Sequence, residues 1–419
     1  MEKSGKFRLT SLERNWILYD VGNSAFVLMV ATLIPIFFNA LAEAGGLSSV
    51  EYLAYWGYAS SAVTVITAVL SPILGTVADT KGFKKPIFIL CVFVGIVGCC
   101  AMGAASAWLP FLVIFVIAKV GFSGSLVFYD SMLSDVTTPE RMDEVSSRGY
   151  AWGYIGSCVP FVVCLGLVLG AGSIGISQMT ALNLALLLTA AWWLLTTLPL
   201  LKSYKQLHYV EVEKHAVRQS FARIGHTLRH LPEDKQVFWF LLAFFCYIDG
   251  VYTIIDMATA YGTALGLDTT GLLLALLVTQ IVAFPSALIF GRLSQKYASK
   301  TLIPVCIAAY TGIAVFAFFL KSQWQFWVLA VVVGMFQGGV QALSRSHFAK
   351  IIPAEKSGEY FGLFDICGKG ASFLGTMIVS VGSQLTGSAN VGVGSIAVLF
   401  VIGFVLFRVS CRTEHAKQV

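Results

Sequence analysis

Runs of about twenty apolar residues recur twelve times along this 419-residue chain, and such runs bury their backbone polar groups most simply as helices across a bilayer. They cover 15–42, 52–78, 86–106, 109–136, 146–170, 178–200, 236–261, 270–291, 302–320, 324–348, 359–385 and 391–409. A large soluble helical protein would show polar faces on most of its helices, and these segments do not. Only 12 % of the residues are charged, against roughly a quarter in ordinary soluble domains. Charge is absent from long segments rather than thinned everywhere. The chain is predicted to be an all-α membrane protein with twelve transmembrane helices.

The connections set the orientation. With the N-terminus inside, all but four of the 28 Lys and Arg fall in cytoplasmic connections or tails. The exceptions are Lys321 on the opposite side and Lys119, Arg345 and Lys369 within spans. Both termini are therefore expected in the cytoplasm. The first fourteen residues are basic and lack an apolar core, so no cleaved signal is expected. The longest connection divides the chain into 1–200 and 236–419, with 201–235 reading as a solvated basic linker near anionic headgroups; a regulatory or metal role for its four histidines is the alternative. Nine cysteines without a CxxC read as small core residues.

An internal repeat relates the halves. GTVADTKGFKK, which begins at Gly75 after the second span, matches GRLSQKYASK, which begins at Gly291 after the eighth. DVTTPER at the end of span four matches AKIIPAEK at the end of span ten through Pro139 and Pro353, and YDVGN at 19–23 matches YIDGV at 247–251. Matches at the same places in two six-helix units argue for a parallel repeat about an axis along the membrane normal.

The loop Gly75, Asp79, Lys81, Gly82, Lys84 and Lys85 resembles the signature loop of the major facilitator superfamily, with Thr80 where a basic residue is usual. NWILYDVGNSAF, VFYDSMLSDV, SSRGYAWGYIG and FGLFDICGKGASFLG resemble the vacuole-effluxer family, which includes the fungal autophagy-related effluxers of amino acids. The resemblance implies two pseudo-symmetric six-helix bundles, spans 1, 4, 7 and 10 lining a central cavity, and a signature loop that braces the cytoplasmic side. Asp79 is then expected to accept hydrogen bonds from the N-terminus of span eleven near 357–359. The lysines of the loop equally fit the positive-inside bias alone.

Eight ionisable residues lie within spans: Asp20, Lys119, Asp130, Asp249, Asp256, Arg345, Asp365 and Lys369. Left unpaired they would cost on the order of 20 kcal/mol, so they pair or face water. At about 1.5 Å per residue, Lys119, Asp249 and Lys369 lie near the midplane, and Asp20, Asp130 and Arg345 near the cytoplasmic side. Asp365 and Lys369 share a helix face, as do Lys119 with Asp130 and Asp249 with Asp256. Asp130 and Arg345 are the expected cytoplasmic gate. Asp20, Asn23, Lys119, Asp249, Gln337, Gln341, Asp365 and Lys369 are the candidate substrate or proton site, with Asp249 first and Asp20 second as the titrating group. Gly22 offers span one a place to bend. For Asn23, Gln337 and Gln341, interhelical hydrogen bonding is an equal alternative.

GLFDICGKG lacks the spacing and the Ser or Thr of a phosphate-binding loop, so no nucleotide cofactor is expected and transport energy comes from gradients. The expected function is secondary transport of a small polar or zwitterionic, amino-acid-like solute, possible efflux coupled to protons, by a monomer in a bacterial inner membrane. No metal, nucleic acid or enzymatic activity is expected. Export of lipophilic compounds, or a non-transporting receptor or lipid-handling protein on the same fold, are the alternatives.

Overall fold

The computed structural model describes residues 7–211, 225–227, 229–264 and 266–418, without the side chains of 49, 50, 53, 259, 260, 263, 264, 269, 270, 273, 369–373, 389 and 414–418. Its helices in the first half are α1 (Ser11–Ala31), α2 (Leu33–Ala44), α3 (Ser49–Ala78), α4 (Lys84–Gly103), α5 (Trp108–Ser131), the short α6 (Leu133–Val136), α7 (Met142–Leu169) and α8 (Gln178–Ser203). After the central connection come α9 (Lys235–Ala264), α10 (Thr269–Leu293), α11 (Ser299–Phe318), α12 (Gln323–Ile351), α13 (Ser357–Thr386), α14 (Ala389–Gly394) and α15 (Ala397–Gln418). Eleven helices among the described residues are long and apolar enough to cross a membrane. Helix α13, 30 residues long, spans the remaining expected segment.

Local chemistry sets the helix ends. Thr10 and Glu13 form a reciprocal capping box at α1, and Ser48 and Glu51 form another at α3. Gly387 takes φ +66° to end α13, and Gly82 takes φ +79° where the loop after α3 reverses. The first span breaks at Thr32 rather than at Gly22. Pro35 has no N–H for the Ala31 carbonyl, which interrupts the helix there. Gly22 instead lets α1 press against Trp193 and Thr196 of α8.

Helices α1 to α8 pack mainly among themselves, as do α9 to α15. The repeat is visible in single bonds. Tyr19 of α1 donates to Ser125 of α5 at 2.7 Å, and Tyr247 of α9 meets Ser344 of α12 at 2.6 Å. Both pairs are buried and join the first helix of a group to its fourth long span, although the two serines are not at aligned positions. The groups meet through α7 against α10 and α12, and through α13 against α3 and α5.

The start of the central connection is not a free solvated linker. Residues 204–211 fold back against the loop after α3, and Thr80 and Val210 form a parallel β-bridge. Residues 212–224 and 228 of the connection lie outside the described residues. None of the nine cysteines forms a disulfide, and five of them are buried.

Candidate functional site

The end of the bundle that carries the termini is clamped shut by contacts between the two helix groups. At its surface the first N–H groups of α13 have no partners within the helix. Asp79, which caps the end of α3, supplies them: its carboxylate accepts from Gly358 N at 2.7 Å and Glu359 N at 2.8 Å. The helix dipole favours a negative charge at this position. The approach needs glycine on both sides, since a Cβ on Gly75 would collide with the Gly358 carbonyl. Lys84 donates to Ser357 Oγ at 2.8 Å and lies 3.6 Å from Asp79 and 3.8 Å from Asp135, fully buried. It is thus more than a surface charge obeying a topology bias. Lys81, by contrast, is exposed beside Glu211, and Lys85 is half-buried.

Deeper in, Arg345 of α12 reaches into the other helix group. Its Nη1 lies 2.9 Å from Asp130 and 3.8 Å from Asp20, its Nε donates to Ser146 Oγ at 2.9 Å, and its Nη2 donates to the Ser146 carbonyl at 3.0 Å. Three rings surround the guanidinium: Tyr150 at 4.3 Å, Trp16 at 4.7 Å and Tyr129 at 5.4 Å. Trp16 and Tyr129 stack at 4.3 Å, and the Trp16 indole N–H donates to the Tyr129 carbonyl. Arg345 is 2 % exposed. Two carboxyl groups therefore share one cation. Nearby, Asp143 joins Ser346 and Lys350 at 2.6 Å each, and Ser146 donates to the Ala342 carbonyl.

Toward the middle, Ser71 of α3 donates to Asp365 of α13 at 2.7 Å, and Tyr154 of α7 donates to Gln341 of α12 at 3.2 Å. Gln337 lies near Tyr154 as well, so the polar stripe expected on the tenth span faces the opposite group. The Asp365–Lys369 pairing cannot be placed, because the side chain of Lys369 lies outside the described residues. Asn23 donates to the Tyr19 carbonyl at 3.0 Å and is 3.5 Å from Asp20. Lys119 lies 4.8 Å over the Phe122 ring and within electrostatic reach of Asp256.

Asp249 and Asp256 meet different neighbours despite their spacing. Asp249 is fully buried against α13; its Oδ1 accepts from Gly375 N at 2.9 Å and lies 3.4 Å from Thr253 Oγ1. Its Oδ2 has no hydrogen-bond partner. Asp249 thus does not meet solvent in this arrangement, whereas Asp256 is exposed and Lys119 half-buried.

Several participants went unassigned in the sequence reading: Asp135, Asp143, Ser146, Tyr150, Trp16, Tyr154 and Tyr252. Tyr252 lies among Asp130, Asp256 and Asp365. A signal was present for the α7 residues. SSRGYAWGYIG alternates small and aromatic residues at helical spacing, and Gly149 and Gly153 leave room for Asp20 and Ser24.

Comparison with known proteins agrees with this architecture. A family model described as "Vacuole effluxer Atg22 like" matches residues 11–140 and 133–418. The Bacillus subtilis (strain 168) protein named "Uncharacterized MFS-type transporter YxiO" is 42 % identical over 404 residues, 95 % of this chain and 94 % of its own. "Autophagy-related protein 22" of Coccidioides immitis (strain RS) is 24 % identical over 315 residues, 64 % of this chain and 51 % of its own, so the chain spans about half of that longer relative. The crystal structure of the human organic anion transporter MFSD10 (TETRAN) superposes with a TM-score of 0.72 at 15 % identity, covering 94 % of this chain and 99 % of that one. FucP in the outward conformation superposes with a TM-score of 0.71 at 16 % identity, covering 96 % and 97 %. At such identities these likenesses speak for the fold alone. The family match over nearly the whole chain is what joins fold to lineage: this multi-pass integral membrane protein belongs to the Atg22-like vacuole effluxer family of major facilitator transporters, and it is not an enzyme.

Proposed function

We propose that the chain is a secondary transporter moving a small polar or zwitterionic solute by alternating access between two six-span units, 1–200 and 236–419. With α13 the spans number twelve, both termini are cytoplasmic, and the arrangement described is closed on the inside. The observation that carries this reading is Arg345, a buried cation that belongs to one unit and is held by side chains of the other. Such a contact breaks only if the units part at this face, and its residues can then take up water. Lys119 and Asp256 support a zwitterionic solute: they bring opposite charges from opposing units near each other at positions that are not sealed by packing, Asp256 exposed and Lys119 half-buried.

Asp249 is the proposed proton carrier. Its unpartnered oxygen and the lack of a cation among its described contacts favour a carboxyl that binds a proton rather than a solute. The odd carboxylate of the Asp20–Asp130–Arg345 cluster is the second candidate. The vacuole-effluxer family supports efflux, its resemblance to the fungal amino-acid effluxers favours an amino acid as the solute, and the Bacillus relative supports a bacterial inner membrane. The protein is taken to act as a monomer.

Purified protein in sealed proteoliposomes tests this reading, with a panel of radiolabelled amino acids and an imposed pH gradient. Movement of at least one amino acid, lost in Lys119→Ala, is expected. No movement of any of them, with intact protein in the vesicles, overturns the solute assignment. A second reading, export of a lipophilic compound, is favoured by a largely apolar cavity of about 140 Å³ between α3, α4 and α5, lined in part by Leu74, Leu90, Val94 and Phe128. Efflux of a lipophilic fluorescent dye from the same vesicles, without amino-acid movement, would select it. Binding without movement of either would mark a receptor.

A further inference from the structure

Residues 204–211 leave α8 and run across the loop that joins α3 to α4, gripping it on two sides. On one side the contacts are mainly backbone: Val210 N–H donates to the Asp79 carbonyl at 2.8 Å, and Lys81 N–H donates to the Val210 carbonyl at 3.4 Å. Gln206 adds a side-chain bridge, accepting from Gly82 N at 3.0 Å and donating to the Ala78 carbonyl at 3.1 Å. On the other side the segment converges on one carboxylate. Asp135 Oδ1 accepts from Leu207 N at 3.2 Å and His208 N at 2.9 Å, and His208 Nδ1 lies 3.0 Å away. Asp135 Oδ2 accepts from the Tyr204 hydroxyl at 2.5 Å. Asp135 is 3 % exposed and Tyr204 2 %.

This occupancy bears on Lys84, the buried ammonium placed between Asp135 and Asp79. Lys84 stands 3.8 Å from Asp135 and 3.6 Å from Asp79, while its hydrogen bond goes to Ser357 at the start of α13. Asp135 already accepts from Leu207 N and His208 N at Oδ1 and from the Tyr204 hydroxyl at Oδ2, and these donors from 204–211 offset its pull on Lys84. Remove those donors and a buried carboxylate is left largely unsatisfied, with Lys84 as the cation at hand. A full Asp135–Lys84 pair would pull the ammonium away from Ser357 and Asp79, and so from the N-terminus of α13.

We propose that the segment 204–211 is a positioning strap: by occupying Asp135 it leaves Lys84 to hold α13, and so favours closure of the terminal face. The proposal rests on reading the Asp79–α13 contacts as part of the alternating-access lock, and the test separates the two.

Hydrogen exchange across 357–361 is measured on the full-length protein in lipid nanodiscs, because the amides of Gly358 and Glu359 report the lock directly. Asp79→Ala tests the lock itself and should raise exchange there at least fivefold; no change overturns the lock reading whatever the strap does. Gln206→Ala with Val210→Pro weakens the strap while leaving the lock side chains and the α13 amides unchanged, Pro removing the N–H that the Asp79 backbone carbonyl accepts. If that pair fails to fold, Gln206→Ala with Tyr204→Phe serves instead. A rise of at least fivefold at 357–361 is expected. Adding Asp135→Asn to the weakened strap should restore protection to within twofold of wild type, because an amide keeps an acceptor but carries no charge to capture Lys84. Exchange that rises only at 79–84 and 204–211 would reduce the strap to a local brace and overturn the proposal. So would a rise at 357–361 that Asp135→Asn fails to reverse.

Discussion

Replacing Arg345 with methionine keeps much of the side-chain length but leaves Asp20 and Asp130 facing each other across the gap without a cation. Removing one partner of a buried ion pair costs about 3–5 kcal/mol, and here two hydrogen bonds to Ser146 and three ring contacts go with it. The loss falls on the closed arrangement, because parting the units at the terminal face lets water reach both carboxylates. At about 1.4 kcal/mol per decade, the closed-to-open ratio should fall by a factor on the order of a hundred to a few thousand. Spin labels introduced as non-canonical amino acids at the exposed positions Glu140 and Lys296, on opposing units, would report the distance across that face. The measurement belongs at pH 8, so that protonation of the stranded carboxylates does not relieve the penalty. Arg345→Met should move the distance distribution to longer values. An unchanged distribution with folded protein would refute the claim that Arg345 holds the face shut. The charge swap Asp130→Arg with Arg345→Asp should recover only part of the closed population. It restores the pair but not the donors to Ser146, and it sets a carboxylate beside Asp20, which lies 3.8 Å from the present guanidinium.

Three further outcomes can be checked. Gly75→Ala drives a methyl into the Gly358 carbonyl, an overpacking of about 1–3 kcal/mol borne by the closed arrangement, so protection of the α13 amides should fall; unchanged protection would contradict the close contact. Asp249→Asn keeps an acceptor for the Gly375 N–H but cannot carry a proton, so solute exchange should persist while accumulation driven by a pH gradient is lost; retained accumulation would remove Asp249 from the coupling. Burial raises the Asp79 carboxyl to about 6 from an ordinary 3.8, outweighing Lys84 and the two α13 N–H groups. The closed arrangement therefore binds that proton more readily than one in which Asp79 is hydrated. Closure should strengthen as pH falls from 6 toward 4 and weaken as pH rises through 6, a slope that Asp79→Asn should flatten. The same label pair read across pH checks it.

What the sequence alone determined was whatever follows from one helix at a time. Apolar length gave the spans, and lysine and arginine placement gave an expected sidedness. Depth along a helix put Asp130 and Arg345 at a common level, where the structure pairs them at 2.9 Å. The Asp79 contact with the start of α13 was also legible, because a carboxylate and an uncapped helix end have few alternatives. The repeat was readable at the prolines and at YDVGN, and its matched tyrosines, Tyr19 and Tyr247, each bond a buried serine of another helix. Tertiary structure alone decided which neighbour each polar group met. Spacing put Asp249 and Asp256 on one stripe, yet one is sealed against Gly375 and the other lies near Lys119. Nothing local announced that Arg345 would take Asp20 as well, or that residues 204–211, written like a solvated basic linker, would fill the oxygens of Asp135. Helical periodicity fixes the direction of a side chain relative to its own axis. The partner it finds depends on how separate helices are set against one another, and that is settled only when the whole bundle packs.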